Sequence, residues 1–428
     1  MARKMKDSGI EWIGEIPTDF SLYKLKYLLS SPLCYGANES GTLYSDILPR
    51  YIRITDISPN GTLKNSGMLS LDESSAQNYM LHEGDILFAR SGATVGKSFI
   101  YHNYYGRAAY AGYLIKASFN RLVLPEFVYY YTCSSAYEIW KNSIFIQSTI
   151  QNIGADRYSN LPISVPNSID KQLKIVRYLN NFCSRFDAII YNLQTSIEDY
   201  KKLKQAVITQ AVTKGVRGER EMKDSGVKWI REIPTEWKIQ RFAHVAEVKS
   251  NLVSPDNYLE YPQISPENIE KDSGKLLLPC RTVADVGVIS GNHLFYKGQI
   301  LYSKIRPKLN KVCIAPFDGL CSADMYPIET KNDTRYIMYC ILSHGFLQQV
   351  SMITENRVKM PKINQVELSK ILVAIPETIA EQKEIADYLD AKCAEIDGLI
   401  AKKEQLVKEL ESYKKSLIYE VVTGKREV

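Results

Sequence analysis

Met5-Lys6-Asp7-Ser8-Gly9-Ile10-Glu11-Trp12-Ile13-Gly14-Glu15-Ile16-Pro17-Thr18 returns 217 residues later as Met222-Lys223-Asp224-Ser225-Gly226-Val227-Lys228-Trp229-Ile230-Arg231-Glu232-Ile233-Pro234-Thr235. Residues 5–20 and 222–237 agree at 11 of 16 positions, a match that composition cannot produce. Leu161-Pro162-Ile163-Ser164-Val165-Pro166 is answered by Ile371-Leu372-Val373-Ala374-Ile375-Pro376. Gln172 with Tyr178-Leu179 is answered by Gln382 with Tyr388-Leu389. The chain is therefore written twice, each half running from opening motif through a variable body and a Pro-ended strand to a long helix.

The helices are read from spacing. After Pro166 apolar residues fall at Leu179, Phe182, Phe186, Ile189, Leu193, Ile197, Tyr200, Leu203 and Val207, in steps of three or four, with no Gly or Pro before Gly215. The second half gives Leu389, Lys392, Ile396, Leu399, Lys403, Val407, Leu410, Tyr413 and Leu417. Each helix would extend ~60 Å, too long for a small domain to bury, so the two are expected to pair as an antiparallel coiled coil. Leu179, Phe186, Ile189, Leu193, Leu389, Ile396, Leu399 and Leu410 are the expected pairing residues. Lys392 and Lys403 either set its register or snorkel from its edge. The fold class is α+β: two mixed α/β domains in tandem, separated by the helices and related by a pseudo-two-fold. The expected boundaries are 1–166, 167–215, 216–376 and 377–428.

Composition bounds the function. The chain has 428 residues, 45% of them apolar, and 54 Lys+Arg against 48 Asp+Glu leave +6, which permits a nucleic-acid partner without requiring one. No apolar run reaches membrane-span length and no secretory leader is visible at the N-terminus, so the protein is expected to be cytoplasmic. The eight cysteines are scattered without a C-x-x-C pair, which supports neither a zinc site nor a disulfide framework. An excess of tyrosine, 29 against 12 Phe, mildly favours a wet recognition surface.

Ser91-Gly92-Ala93-Thr94-Val95-Gly96-Lys97-Ser98 approaches a phosphate-binding loop, but the leading glycine is Ser91. Its counterpart, Ile305-Arg306-Pro307-Lys308-Leu309-Asn310-Lys311-Val312, keeps only the final lysine. A basic loop that meets DNA phosphate or a guanine edge fits both better. The rival readings are a solvated loop, an ATPase built on this motif, and an adaptor whose helices only join proteins. Asp7-Ser8-Gly9 has no nearby histidine and reads as a turn or a helix cap, not a nucleophile. An Asn/Asp-Pro-Pro-aromatic motif for base methylation is absent from the sequence.

The opening motifs, Gly84-Asp85-Ile86-Leu87-Phe88-Ala89-Arg90-Ser91-Gly92-Ala93-Thr94-Val95-Gly96-Lys97, Thr149-Ile150-Gln151-Asn152-Ile153, and the run from Ile375 to Asp390 together resemble the specificity subunits of type I restriction–modification systems. The resemblance covers nearly the whole chain. It implies a non-catalytic subunit that binds double-stranded DNA, each half reading one part of a bipartite site. It also implies helices that set the spacing and dock two methyltransferase subunits, with restriction subunits in the full complex. No cofactor is expected in this chain; S-adenosylmethionine, ATP and Mg would belong to the partners. Candidate DNA-binding residues are Arg90, Ser91, Thr94, Lys97, Arg107 and Gln151 in the first half and Lys304, Arg306, Lys308, Lys311 and Lys362 in the second. Phe182, Tyr191, Tyr388 and Tyr413 are candidates for docking partners. Because residues 84–98 and 298–312 agree at only four positions, the DNA site should be asymmetric.

Overall fold

The computed structural model describes residues 3–58, 61–92, 94–146, 151–357 and 360–428. Its contacts form two compact units, Met1–Leu193 with Gln405–Val428, and Gln194–Glu404. Each unit thus contains one body and a part of both long helices, the central helix Ile169–Lys214 and the C-terminal helix Ile379–Val422. No helix among the described residues is long and apolar enough to cross a membrane.

The duplicated sequence folds twice in the same way. Each opening motif is a short antiparallel hairpin with one register, Met5 opposite Pro17 and Met222 opposite Pro234. In both, the aspartate accepts a hydrogen bond from the backbone of a left-handed glycine: Asp7 from Gly9 at 2.9 Å and Asp224 from Gly226 at 3.0 Å. The Asp-Ser-Gly run is accordingly a turn. Next, Phe20–Lys24 pairs with Pro162–Pro166, and Lys238–Arg241 with Leu372–Ile375, so the strands that enter and leave each body are tied together.

Between them each body holds two four-stranded sheets. One runs Cys34–Tyr35, Leu114–Ala117, Ile86–Ala89, Ser98–Ile100, and its counterpart runs Ala246–Val248, Met325–Thr330, Ile300–Ser303, Val312–Ile314. A helix pair covers each, Pro125–Thr132 with Ser135–Ile146 and Thr334–Leu342 with His344–Thr354. Two buried glutamines fasten body to helix. Gln172 accepts from Leu124 N–H at 2.8 Å and donates to the carbonyls of Leu122 and Pro166, each at 3.0 Å. Gln382 accepts from Asp333 N–H at 2.9 Å and donates to Asn332 and Pro376. An amide side chain satisfied on both ends is stable where a carboxylate or an alkyl chain would leave backbone groups unpaired.

Within each unit the two helices pair antiparallel. In the first, Ile175, Val176, Leu179 and Cys183 share a core with Leu417, Ile418, Val421 and Val422, and Tyr413 packs on Phe186 at 5.7 Å between ring centres. In the second, Ile208, Ala211 and Val212 share a core with Ile385, Leu389 and Cys393. The covered stripe of the central helix runs Leu179, Cys183, Phe186, Ile190, Leu193, Ile197, Tyr200, Lys204 and Ile208, close to a 3.5-residue period. Ile189 is therefore not a pairing residue: it is 45% exposed while Ile190 is 9% exposed. The adjacent isoleucines leave the sequence ambiguous, and only Ile190 keeps the heptad phase. Leu203 is likewise turned outward, and Lys392 lies outside the stripe, bonded to Glu395. Lys403 sits in it over the Tyr200 ring. Leu389 and Ile396 are buried, and Leu399 and Leu410 half-buried.

The phase makes a direct prediction. Ile190→Ala should cost about 2–4 kcal/mol in the unfolding free energy of the first unit, whereas Ile189→Ala should change it by less than about 0.5 kcal/mol. Chemical denaturation followed by circular dichroism separates the two.

Candidate nucleic-acid interface

The basic stretches singled out in the sequence occupy the same place in the two bodies. Residues 90–97 join Ile86–Ala89 to Ser98–Ile100, and residues 304–311 join Ile300–Ser303 to Val312–Ile314, both as antiparallel hairpins. Their closing bonds correspond: Ala89 N–H to the Lys97 carbonyl at 2.8 Å, and Ser303 N–H to the Lys311 carbonyl at 2.9 Å. A second segment runs alongside each. Ile153 N–H donates to the Arg90 carbonyl at 2.9 Å and Ile363 N–H to the Lys304 carbonyl at 2.9 Å, with Ser91 bridged to Asn152 and Ile305 to Lys362.

The backbone agreement extends to conformation. Gly92 and Gly96 have φ of 77° and 82°, and the residues at the matching positions, Arg306 and Asn310, have φ of 44° and 43°. The second loop keeps a left-handed turn that glycine adopts without strain and that an arginine adopts at a cost of about 1–2 kcal/mol. Two unlike sequences thus hold one loop shape, and what differs is the side chains it presents. Each loop leads from a strand into a strand. A phosphate-binding loop needs a helix N-terminus after its lysine, so the geometry contradicts the ATPase reading of Ser91–Ser98.

The side chains divide into presented and engaged groups. Lys97 and Gln151 are exposed in the first unit, with Ser91 and Thr94 half-buried; Arg306 and Lys308 are exposed in the second. Arg90 lies over the Tyr35 ring at 5.0 Å, and Lys304 over Tyr326 at 5.4 Å. Lys311 donates to the Pro266 carbonyl at 2.7 Å, and Lys362 pairs with Asp324 at 3.1 Å. Arg107 is not brought to the loop. It precedes strand Ala108–Tyr110 and pairs with Glu73, whereas Tyr113, beyond the far end of that strand, is the residue whose carbonyl accepts from Arg90 N–H.

Several residues at these loops have no signal in the spacing of the sequence. Tyr35 supports Arg90 and accepts from Ala155 N–H at 3.0 Å. The buried Nε of Arg90, Oδ1 of Asn152 and Nδ1 of His293 have no hydrogen-bond partner among the described residues. Burial, with Lys304 nearby, holds the His293 imidazole below its ordinary pKa. Two tyrosines bracket the first loop from inside: Tyr137 donates to the Gly96 carbonyl at 2.6 Å and Tyr158 to the Ala89 carbonyl at 3.0 Å. All eight cysteines are free, and five are buried. No group of three or more His, Cys, Asp or Glu side chains that could hold a metal occurs among the described residues. On the helices, Phe182 and Tyr413 are used against Phe186, while Tyr191 and Tyr388 are exposed.

Residues 44–199 and 234–409 each match the family model described as the type I restriction modification DNA specificity domain. The chain belongs to this family. Its two matches fall on the two duplicated halves. It is 34% identical over 293 residues to the type I restriction enzyme EcoDI specificity subunit of Escherichia coli, an alignment that spans 65% of each chain. It is 25% identical over 435 residues to a putative type I restriction enzyme MjaX specificity subunit of Methanocaldococcus jannaschii, spanning 96% of this chain and 95% of that one. A chain solved in work on complex assembly and conformational transition of the type I R-M system superposes with a TM-score of 0.68 at 13% identity, covering 96% of this chain and 99% of that one. That likeness concerns the fold.

If Tyr137 props the first loop, Tyr137→Phe should leave the fold intact but speed hydrogen exchange of the Thr94 to Lys97 amides by roughly five- to tenfold, the scale of one lost hydrogen bond. Exchange mass spectrometry of the intact protein reads this directly.

Proposed function

We propose that this protein is the DNA sequence-specificity subunit of a type I restriction–modification complex and acts in the cytoplasm. Each unit presents its basic hairpin loop to one half of a bipartite, asymmetric site in double-stranded DNA. The long helices set the spacing between the halves and dock two methyltransferase subunits, with restriction subunits in the full complex. Methyl transfer and cleavage, and with them S-adenosylmethionine, ATP and Mg, belong to those partners.

The observation that carries this reading is one loop geometry filled by two side-chain sets, RSGATVGK and KIRPKLNK. A loop kept in shape but varied in content is what reading two different half-sites requires, since phosphate contacts position a protein and base contacts specify. Lys97, Arg306 and Lys308 suit phosphate. Arg90, whose guanidinium lies over the Tyr35 ring, suits the bidentate edge of guanine.

Mapping methylated adenines across the genome of cells with the intact system should return two unlike half-sites separated by unread bases. Arg90→Ala should then weaken binding about 5- to 150-fold through the first half-site and leave preference at the second unchanged. Loss at both or neither counts against the assignment. Failure of any duplex to bind at low salt would favour a purely protein-joining role.

A further inference from the structure

Two ion pairs bridge the long helices, and they are one pair repeated. In the first unit Lys414 donates to Asp187 at 2.6 Å; in the second Lys204 donates to Asp397 at 2.8 and 2.9 Å. Asp187 and Lys204 of the central helix stand 210 positions before Asp397 and Lys414 of the C-terminal helix. Each helix thus carries an aspartate and, 17 residues on, a lysine. Both lysines occupy the covered stripe, where the heptad phase calls for an apolar residue, and Lys204 is only 6% exposed. Asp397 also takes Lys275 from the body of its own unit at 2.7 Å. Burial would push the Asp397 carboxyl up, but the two ammonium groups outweigh it and hold it below its ordinary value.

The residue numbers of both pairs add to the same total, so a single antiparallel register makes both bonds. Sliding the helices by one heptad in one sense sets Asp187 against Val421 and Asp397 against Ala211. Sliding in the other sense sets them against Val407 and Ile197. Lys414 meets Gln194 or Asn180 instead of a carboxylate, while Lys204 meets Glu404 or Asp390, so the aspartates carry the cost of a slip. Either slip leaves both aspartates facing apolar side chains, which the leucine and isoleucine contacts of the stripe would not forbid by themselves.

We infer that the duplicated Asp–Lys pair is the register lock of the two long helices and thereby fixes how many base pairs the protein leaves unread between its half-sites. The inference rests on the DNA-reading role proposed above. These are positioning residues that lie outside the two recognition loops.

The test is the methylation map of cells carrying the complete system with Asp187→Lys, Lys414→Asp, or both changes together. The wild-type chain should give one spacer length. Either single reversal should raise methylation at sites of other spacer lengths by roughly tenfold, the scale of coupling between contacting charges, with the half-site sequences unchanged. The double reversal should return a single spacer length. Should a single reversal abolish methylation through misfolding, recovery in the double variant still supports the lock. A single reversal that retains one spacer length at wild-type methylation overturns it, as does a double variant that recovers nothing. Absence of any bipartite methylation from the wild-type system would instead sink the DNA-reading role itself.

Discussion

An α-helix of 46 residues with an apolar stripe along its length cannot stand in water, and it extends about 69 Å, farther than a body of some 140 residues can cover. The stripe must be covered by something equally long. Among the described residues the only segment of matching length and period is the helix of the other half, with 44 residues. That requirement explains why the chain's contacts do not divide at its midpoint. Each compact unit takes the start of one long helix and the end of the other. The core of the first unit includes Leu417, Ile418, Val421 and Val422 from the far end of the sequence.

Given that pairing, the rest of each half is an attachment problem, solved identically twice. The entering and leaving strands are hydrogen-bonded, and a buried glutamine ties the end of the body to the first turns of the helix. A body carried this way can vary internally without disturbing its mount. The two basic loops are the outcome: their closing bonds, side segments and left-handed positions coincide, while only four of fifteen residues agree between 84–98 and 298–312. Arg306 and Asn310 adopt a backbone that Gly92 and Gly96 accept freely, so the loop shape is imposed by the frame and not chosen by its sequence.

What could be read from the sequence followed from how local each signal is. The opening motif, the Pro-ended strands and the helix lengths are local patterns, and the structure contains all of them. The helix phase is ambiguous where two apolar residues are adjacent: Ile189 and Ile190 satisfy a step of three or four equally well from Phe186, and only the partner helix decides between them. The same drift puts Lys392 at a stripe position by spacing, whereas the helix buries its neighbour Cys393. The surroundings of the basic loops were out of reach for a different reason. Tyr35, Tyr326 and His293 reach them by strand pairing between distant segments, and an ion pair such as Lys362 with Asp324 is invisible until the fold is known. The resemblance of Ser91–Ser98 to a phosphate-binding loop also failed on context, because the chain goes on into a strand.

The antiparallel pairing is the premise beneath the mount, the loops and the lock. It is tested most directly by pulsed electron paramagnetic resonance on intact protein carrying spin labels through unnatural amino acids, because eight native cysteines preclude thiol labelling. Labels at the exposed positions Arg185 and Lys415, and in a second sample at Lys201 and Ala401, flank the two ion pairs. Packed helices lie about 8–10 Å apart, so both label pairs should give narrow distributions below about 25 Å. A distance beyond about 40 Å in either sample would mean that the long helices do not cover each other, and the account would be wrong.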